Sequence, residues 1–269
     1  MTGFHIVVLG SVVPDPLQVL EPVSTPAGPG LKNEAMLPAV LDPWAASALY
    51  EAAALAAAAP GSKVTLVALG PKAKLQQVMM AVGQKVPFEL VALDGPAGGF
   101  TDAHEVAARL AAAVRALPGL DLSRLLLFGG WESASRSAGV TLQLVGEALG
   151  LAEQFQGVDR LALRPDGSFE VLERVEGGKH QVSVCQGAPA VLGWATGERP
   201  EPKNNPQVGM ANMRGIMPAL QKAAAAPVGV GGQAFATVQV PRVTRETKVV
   251  KDATPDAIAA ELAAWIRQD

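Results

Sequence analysis

A serine-rich loop lies between a predicted strand and a predicted helix near the middle of the chain. Four apolar residues, Leu125 to Phe128, precede a glycine pair and indicate a buried strand, whereas Ser137 to Gly150 place apolar side chains on one helical face. The first N–H groups of a helix are free and carry partial positive charge. Ser133 and Ser135, with the serine that begins the helix, add hydroxyl groups where a phosphate would bind. An ordinary turn with a serine N-cap explains the same residues.

Other chemical signatures are sparse. The three histidines, His5, His104 and His180, are far apart in the sequence, and none lies beside the single cysteine, Cys185, or in a metal-ligand spacing. This spacing gives little support for a metal site. The motifs GxSxG, GxxxxGK[ST] and GxGxxG do not occur, so hydrolase, NTPase and nicotinamide-dehydrogenase interpretations lack their usual signatures.

Alternating strands and helices predict an α/β fold, with a parallel sheet and helices on both faces. The predicted strands are Phe4–Leu9, Lys63–Leu69, Phe88–Leu93 and Leu125–Phe128. The predicted helices are Trp44–Ala59, capped by Asp42 with Pro43 at its first position, Ala73–Val82, and one capped by Thr101 that ends near Leu117. The proline-rich residues 11–30 predict an extended connection or a loose hairpin. Ligands of such sheets bind at the carboxyl ends of the strands, where Gly10, Gly70 and Gly130 lie.

The second half of the chain has a different pattern. Short strands at 157–163, 169–175, 181–185 and 190–194 predict a β meander attached to the sheet. Residues 198–232 carry many prolines and glycines and predict an exposed loop and linker. Residues 233–269 predict a C-terminal arm with a strand-like ATVQVPRV and a last helix from Thr254 to Arg267. The expected division is 1–197, 198–232 and 233–269.

The composition narrows the classes of partner and compartment. The chain has 269 residues, 49% of them hydrophobic, and a formal net charge of -3 without a run of Lys or Arg. We therefore expect a folded core, no nucleic-acid partner and no anionic membrane surface as partner. No segment reaches the roughly 18 to 20 apolar residues that span a bilayer, so we expect no membrane insertion. The single cysteine and the absence of an export signal favour the cytoplasm.

Short motifs along the chain resemble those of a known family. In order they are VPD at 13–15, DPW at 42–44, ALYEA at 48–52, VALGP at 67–71, Gly83, ERVEGG at 173–178, PAV at 189–191, EPK at 201–203 and the tail 237–266. Their order is similar to that of the β subunit of electron transfer flavoproteins, the family that includes FixA-type proteins. The resemblance covers nearly the whole chain.

This resemblance implies a Rossmann-like fold of the adenine nucleotide α-hydrolase-like type and a role as an electron carrier subunit that is not itself catalytic. It implies a heterodimer with an α subunit, which holds FAD and which the C-terminal arm embraces. Electrons would pass from a flavin-dependent dehydrogenase to a downstream acceptor. The β subunit would bind a structural AMP, or a second FAD in bifurcating members, and AMP is favoured here. The alternative is a self-contained nucleotide-binding enzyme of the same fold.

The resemblance also implies positions for the nucleotide contacts. The family contacts are carried over by position, and Gly70 and the loop serines are added to them. The full set is Leu9, Asp42, Pro43, Trp44, Ala45, Leu69, Gly70, Gly130, Ser133, Ser135, Arg136, Ser137, Gly139 and Thr141. The loop departs from the family pattern, because GGWESASRSAGVT replaces the acidic GKQAIDDDSNQTG. Arg136 makes the loop more favourable for phosphate, but the loss of the family side chains could equally mean that adenosine recognition has drifted.

A second predicted site concerns the dehydrogenase. The resemblance implies a recognition loop that includes Met213, Ile216 and Met217. Methionine suits such a surface because its side chain adapts to differently shaped pockets. The alternative is that the three methionines Met210, Met213 and Met217 pack under the loop as local core.

Overall fold

The computed structural model describes residues 3–26, 28–96, 98–229, 231–237, 239, 244, 247 and 249–267. The chain divides into two compact units, Met1–Val238 and Gln239–Asp269. The strands among the described residues are β1 His5–Pro14, β2 Pro22–Thr25, β3 Gly28–Leu31, β4 Ala39–Leu41, β5 Lys63–Gly70, β6 Glu89–Asp94, β7 Leu125–Gly130, β8 Gln154–Leu163, β9 Phe169–Val175, β10 Lys179–Cys185, β11 Ala190–Trp194 and β12 Ala224–Ala225. The α-helices are α1 Pro43–Ala58, α2 Lys72–Val82, α3 Ala103–Arg115, α4 Thr141–Leu149, α5 Pro206–Gln221 and α6 Pro255–Ile266.

The first unit is built on one mixed sheet, in the order β10-β9-β8-β11-β7-β1-β5-β6-β12, with β4 paired to the far end of β1. The neighbouring strands β8, β11, β7, β1, β5, β6 and β12 all run parallel to one another. Strand β9 pairs antiparallel with both β8 and β10. The predicted α/β, Rossmann-like architecture is confirmed.

Helices cover both faces of this sheet, because its central strands are apolar on both sides. Along β1, Ile6 and Val8 point into one core cluster with α1, α2 and α5. Val7 and Leu9 point into a second cluster with α3 and α4. The helices that follow β1 and β7 therefore lie on opposite faces, which opens a crevice between the carboxyl ends of these two neighbouring strands.

Several predicted elements are confirmed with small shifts. Asp42 caps α1 by accepting a hydrogen bond from Trp44 N, and Thr254 caps α6 through Ala257 N. Helix α3 is capped by Asp102 and not by Thr101. Strands β2 and β3 form the hairpin expected as one alternative for residues 11–30. The strand expected in ATVQVPRV, residues 236–243, lies largely outside the described residues.

The prediction of a four-stranded meander is wrong in its last strand. Strands β8, β9 and β10 form an antiparallel meander, but β11 lies between β7 and β8 and runs parallel to both. All five residues of β11 are buried. A short, fully apolar run fits either position in a sheet, so the sequence alone does not distinguish them.

The prediction of an exposed loop over residues 198–232 is also wrong. Pro206 to Gln221 form helix α5, which begins at Asn205, whose side chain accepts hydrogen bonds from Gln207 N and Val208 N. Two glycines and Pro218 inside the helix lower its intrinsic propensity. Tertiary packing overrides this weakness, because Ile216 and Leu220 are buried in the core.

Candidate functional site

A small cavity lies in the crevice between the carboxyl ends of β1 and β7, and we call it the switch-point cavity. Its volume is ≈ 40 Å³. The predicted site residues that line it are Leu9, Asp42, Ala45, Gly130, Ser133, Arg136 and Thr141. Its other lining residues are Gly10, Ser11, Leu110, Gly129, Glu132, Ala138 and Leu142. The structure therefore brings together predicted residues from three separate segments, namely Leu9, residues 42–45 and residues 130–141.

Close backbone approach shapes the walls of this cavity. A Cβ atom on Gly130 would lie 2.4 Å from Cβ of Trp44, and one on Gly10 would lie 2.8 Å from Cδ1 of Leu41. Glycine at position 130 lets the start of α1 pack closely against the end of β7, whereas a side chain at position 10 would displace the side chain of Leu41. The glycines after the predicted strands are thus explained by packing.

Asp42 ties the start of α1 to the loop after β7. Its side chain is buried, and its carboxylate accepts hydrogen bonds from Trp44 N at 3.1 Å and from Ala134 N at 2.9 Å. Burial raises the pKa of Asp42 above its ordinary value, although these N–H groups and the charge of Arg136 act to lower it. Since both oxygens are already engaged, we assign Asp42 to positioning the loop and not to binding a ligand.

The loop from Trp131 to Val140 folds back on itself. Ser137 N donates to Ser133 O at 2.7 Å, and Ser133 N donates to Ala138 O at 3.2 Å. Ser137 adopts a left-handed backbone conformation with φ of 50°, which is uncommon outside glycine, asparagine and aspartate. This compact turn carries Arg136 into the cavity wall.

Arg136 places in the site buried hydrogen-bond donors that lack partners in the described part of the chain. Its Nε and Nη1 atoms are buried and have no hydrogen-bond partner among the described residues, and the same holds for Oγ1 of Thr141. Burial lowers the pKa of Arg136 from its ordinary value, while the charge of Asp42 acts in the opposite direction. An anion in the cavity would satisfy these donors with charge-assisted hydrogen bonds. Glu132 also lines the cavity, and its negative charge would offset part of the attraction for an anion.

The serine N-cap interpretation of the loop is wrong, as is the predicted helix start at Ser137. Helix α4 begins at Thr141 after Val140, with no side-chain cap. Ser133 and Ser135 instead lie with their Oγ atoms 3.3 Å apart. The first N–H groups of α4 therefore lack a serine cap, and Thr141 and Leu142 of this turn border the cavity.

The remaining predicted contacts lie away from the cavity. Leu69 is fully buried in the core, and Gly70 packs against the side chain of Val12. Pro43 occupies the first turn of α1. The carbonyl of Gly139 accepts a hydrogen bond from Gln156 Nε2 at 2.8 Å. Ser135 and Ser137 belong to the loop but do not line the cavity.

Trp44 contacts the loop after β7 through the indole ring of Trp131. Its indole meets that of Trp131 edge to face, with centroids 6.0 Å apart, and the guanidinium of Arg174 lies 5.7 Å from the centre of the Trp131 ring. Asp159 in turn holds Arg174 through two hydrogen bonds of 3.0 Å and 2.7 Å. Strands β8 and β9 thereby support the loop that carries Arg136. Nothing in the spacing of these residues along the sequence indicates this contact.

Asp159 is expected to make stability depend on pH. Burial acts to raise the pKa of Asp159, but hydrogen bonds from Arg174 and His180 outweigh it and hold that pKa below its ordinary value of 3.8. The carboxylate therefore stabilises the fold above pH 3.8, and this contribution is lost as the pH falls through the lowered folded-state pKa. Because its partners are partly exposed, we expect Asp159→Asn to lower the free energy of unfolding by about 1 kcal/mol at neutral pH.

The measurement is urea unfolding of both proteins at neutral pH and at pH values below 3.8. The difference between Asp159→Asn and the unchanged protein should shrink towards zero in acid. Glu89→Gln, which changes an exposed carboxylate on β6, serves as the control. An equal loss of stability at every pH would show that the asparagine disturbs packing and not charge.

The predicted recognition residues lie on helix α5 and differ in exposure. Ile216 is 1% exposed and belongs to the core, and Met217 packs partly buried against it. Met213 is half-buried beside a groove of ≈ 240 Å³ between α2 and α5, whereas Met210 is 67% exposed. The alternative of local core is therefore wrong for Met210, which is exposed, and agrees with the packing of Met217 against the core.

Among the described residues, no group of three or more His, Cys, Asp or Glu side chains is arranged to hold a metal ion. In the same part of the chain, no helix combines the length and apolar character required to cross a bilayer.

Comparison with models of known protein families and with curated protein sequences found no match for this chain.

Proposed function

We propose that this chain is the β subunit of a heterodimeric electron transfer flavoprotein, with AMP bound at the switch-point cavity. In this proposal FAD is held mainly by the α subunit, and a second FAD in the β subunit is less favoured. The chain itself catalyses no reaction; electrons pass from a flavin-dependent dehydrogenase to a downstream acceptor in the cytoplasm. The order of motifs along the sequence suggests this family, and the cavity supplies the physical support.

The observation that carries the proposal is the pair of buried atoms Nε and Nη1 of Arg136, which have no hydrogen-bond partner among the described residues. A buried donor without a partner costs about 1 to 3 kcal/mol, and more when it is charged. Two such donors on Arg136, with Thr141 Oγ1 nearby on the same cavity wall, favour an anion as the missing partner. The uncapped first turn of α4 at this wall adds N–H groups and partial positive charge.

The size of the cavity favours a phosphate group over a larger anion. A volume of ≈ 40 Å³ is about that of three buried water sites, since one water needs roughly 10 to 15 Å³. Whole ligands occupy pockets of about 300 to 1,000 Å³. The cavity therefore fits the phosphate end of a mononucleotide, and the pyrophosphate of a dinucleotide would fit less well.

The second unit offers an apolar helix face for the proposed α subunit. In α6 the side chains of Ile258, Leu262, Trp265 and Ile266 are between 45% and 69% exposed. They recur at helical spacing on one side of the helix. We propose that the α subunit covers this face, and that Met213, presented from α5, contacts the dehydrogenase.

Coexpression with a flavin-binding α subunit tests the proposal. The chain purified alone should be colourless, and the complex should be yellow and should release AMP on denaturation. A chain ending at Val238, the boundary of the first unit, should remain folded but lose the α subunit. The readouts are the visible flavin spectrum, nucleotide analysis of the denatured extract, and co-purification.

Three results would contradict the proposal. Stoichiometric flavin on the lone chain would overturn the assignment of FAD to the partner. Retention of the α subunit by the truncated chain would overturn the role of α6. Turnover of ATP by the lone chain would favour the alternative of a self-contained nucleotide-binding enzyme.

A further inference from the structure

A second space adjoins the switch-point cavity on the other side of Arg136, and we call it the outer pocket. Its volume is ≈ 350 Å³. Arg136 and Ala138 line both spaces. The rest of the outer pocket includes His104 from α3 and Phe235 from the segment after β12. One arginine thus separates a phosphate-sized cavity from a pocket of ligand size.

The segment that carries Phe235 is fixed to the first turn of α3. Gly231 N donates to Glu105 Oε1 at 2.7 Å, and Gln233 N lies 3.4 Å from Asp102 Oδ2. Both carboxylates lie at the N-terminal end of α3, where negative charge is favoured by the helix dipole. Phe235 is therefore held in place by the same unit that forms the cavity.

Phe235 offers an aromatic surface to this pocket. Its side chain is 51% exposed, and its ring meets Phe100 edge to face with centroids 5.6 Å apart. Phe100 thus orients the ring of Phe235. An exposed aromatic face in a pocket beside an arginine suits a ligand that joins a planar base to a phosphate.

The end of β5 at Leu69 and Gly70 is filled by core packing. Leu69 at the end of β5 is 0% exposed. A Cβ atom on Gly70 would lie 2.8 Å from Cβ of Val12. The nucleotide contact that the resemblance implies at Leu69 is therefore closed by core packing.

We infer that the base of the nucleotide binds in the outer pocket against Phe235, while its phosphate binds Arg136 in the switch-point cavity. This inference rests on the proposed nucleotide site. Phe235 is then the residue that distinguishes a nucleotide from a sugar phosphate, because only the base reaches the aromatic ring.

Calorimetric titration with AMP and with ribose 5-phosphate tests the inference on protein freed of bound nucleotide. Ribose 5-phosphate carries the phosphate and the sugar but no base. Phe235→Ala should weaken AMP binding by about tenfold, the loss expected for one base-stacking contact. Binding of ribose 5-phosphate should not change. Phe235→Tyr keeps the ring and should bind AMP normally, and Val182→Ala, an exposed apolar change on β10, is the control.

The outcomes separate this inference from the proposed function. Unchanged AMP affinity in Phe235→Ala overturns the placement of the base and leaves the nucleotide site intact. An equal loss for both ligands also overturns it, because the effect would then be a general disturbance. Binding of neither ligand by the unchanged protein would refute the proposed function and this inference together.

Discussion

Replacing Arg136 with methionine is expected to weaken AMP binding by about a hundredfold or more. The Nε and Nη1 atoms of Arg136 are buried without a partner among the described residues. Each would form a charge-assisted hydrogen bond to phosphate worth about 1.5 to 3 kcal/mol. Methionine preserves much of the side-chain volume but removes the charge and every donor. Both AMP and ribose 5-phosphate should lose affinity, since both depend on the phosphate.

The same substitution should have the opposite effect on the ligand-free protein. Burial lowers the pKa of Arg136, which means that the fold disfavours its charged form. The loss of its attraction to Asp42 offsets part of the gain. We therefore expect the free energy of unfolding to rise by about 1 kcal/mol in Arg136→Met without ligand.

Urea unfolding with and without AMP measures both effects. In the unchanged protein, AMP at a hundred times its Kd should add about 2.7 kcal/mol to the free energy of unfolding, and this increment should vanish in Arg136→Met. Arg199→Met, at an exposed arginine beside Glu51, is the matched control. A variant that is less stable without ligand and still binds AMP normally would show that Arg136 is a structural residue.

The sequence predicts the elements whose ends are marked by caps, prolines and glycines. Asp42 with Pro43 marks the start of α1, and Gly83 follows the last residue of α2. These signals act within a few residues of each helix end, so they do not depend on how the rest of the chain packs. Helix α5 lacks this advantage, because its interior glycines and proline make it a weak helix in isolation. Helix α5 is stabilised by its packing around Ile216, which the sequence pattern does not indicate.

The candidate site was predictable in position but not in detail. Parallel strands place their carboxyl ends at the same edge of a sheet, so Leu9 and Gly130 lie together, and Asp42 joins them at the start of α1. The conformation of the loop after β7 depends on its bond to Asp42 and on a left-handed Ser137, neither of which has a sequence signature here. The sequence therefore predicts that Arg136 is favourable for phosphate, but it does not indicate that Nε and Nη1 of this residue are buried without partners in the part of the chain that the structure describes.

Replacing Ile216 with alanine is expected to lower the free energy of unfolding by about 2 to 5 kcal/mol, the range for large-to-small changes in a packed core. Ile216 is 1% exposed, and its Cδ1 atom lies 2.7 Å from the position that a Cβ atom on Gly83 would occupy. The side chain thus fills the contact between α5 and the end of α2. The loss is a large part of the roughly 5 to 15 kcal/mol that stabilises most domains.

Met210→Ala on the same helix provides the control, because Met210 is 67% exposed and its truncation should change stability by no more than about 0.5 kcal/mol. Gly83→Ala tests the contact directly. Its added methyl group should be costly beside isoleucine and less costly beside alanine at position 216, which a double-mutant cycle in urea measures. If Ile216→Ala keeps full stability and instead weakens binding to the dehydrogenase, Ile216 belongs to a docking surface and the core assignment of α5 is wrong.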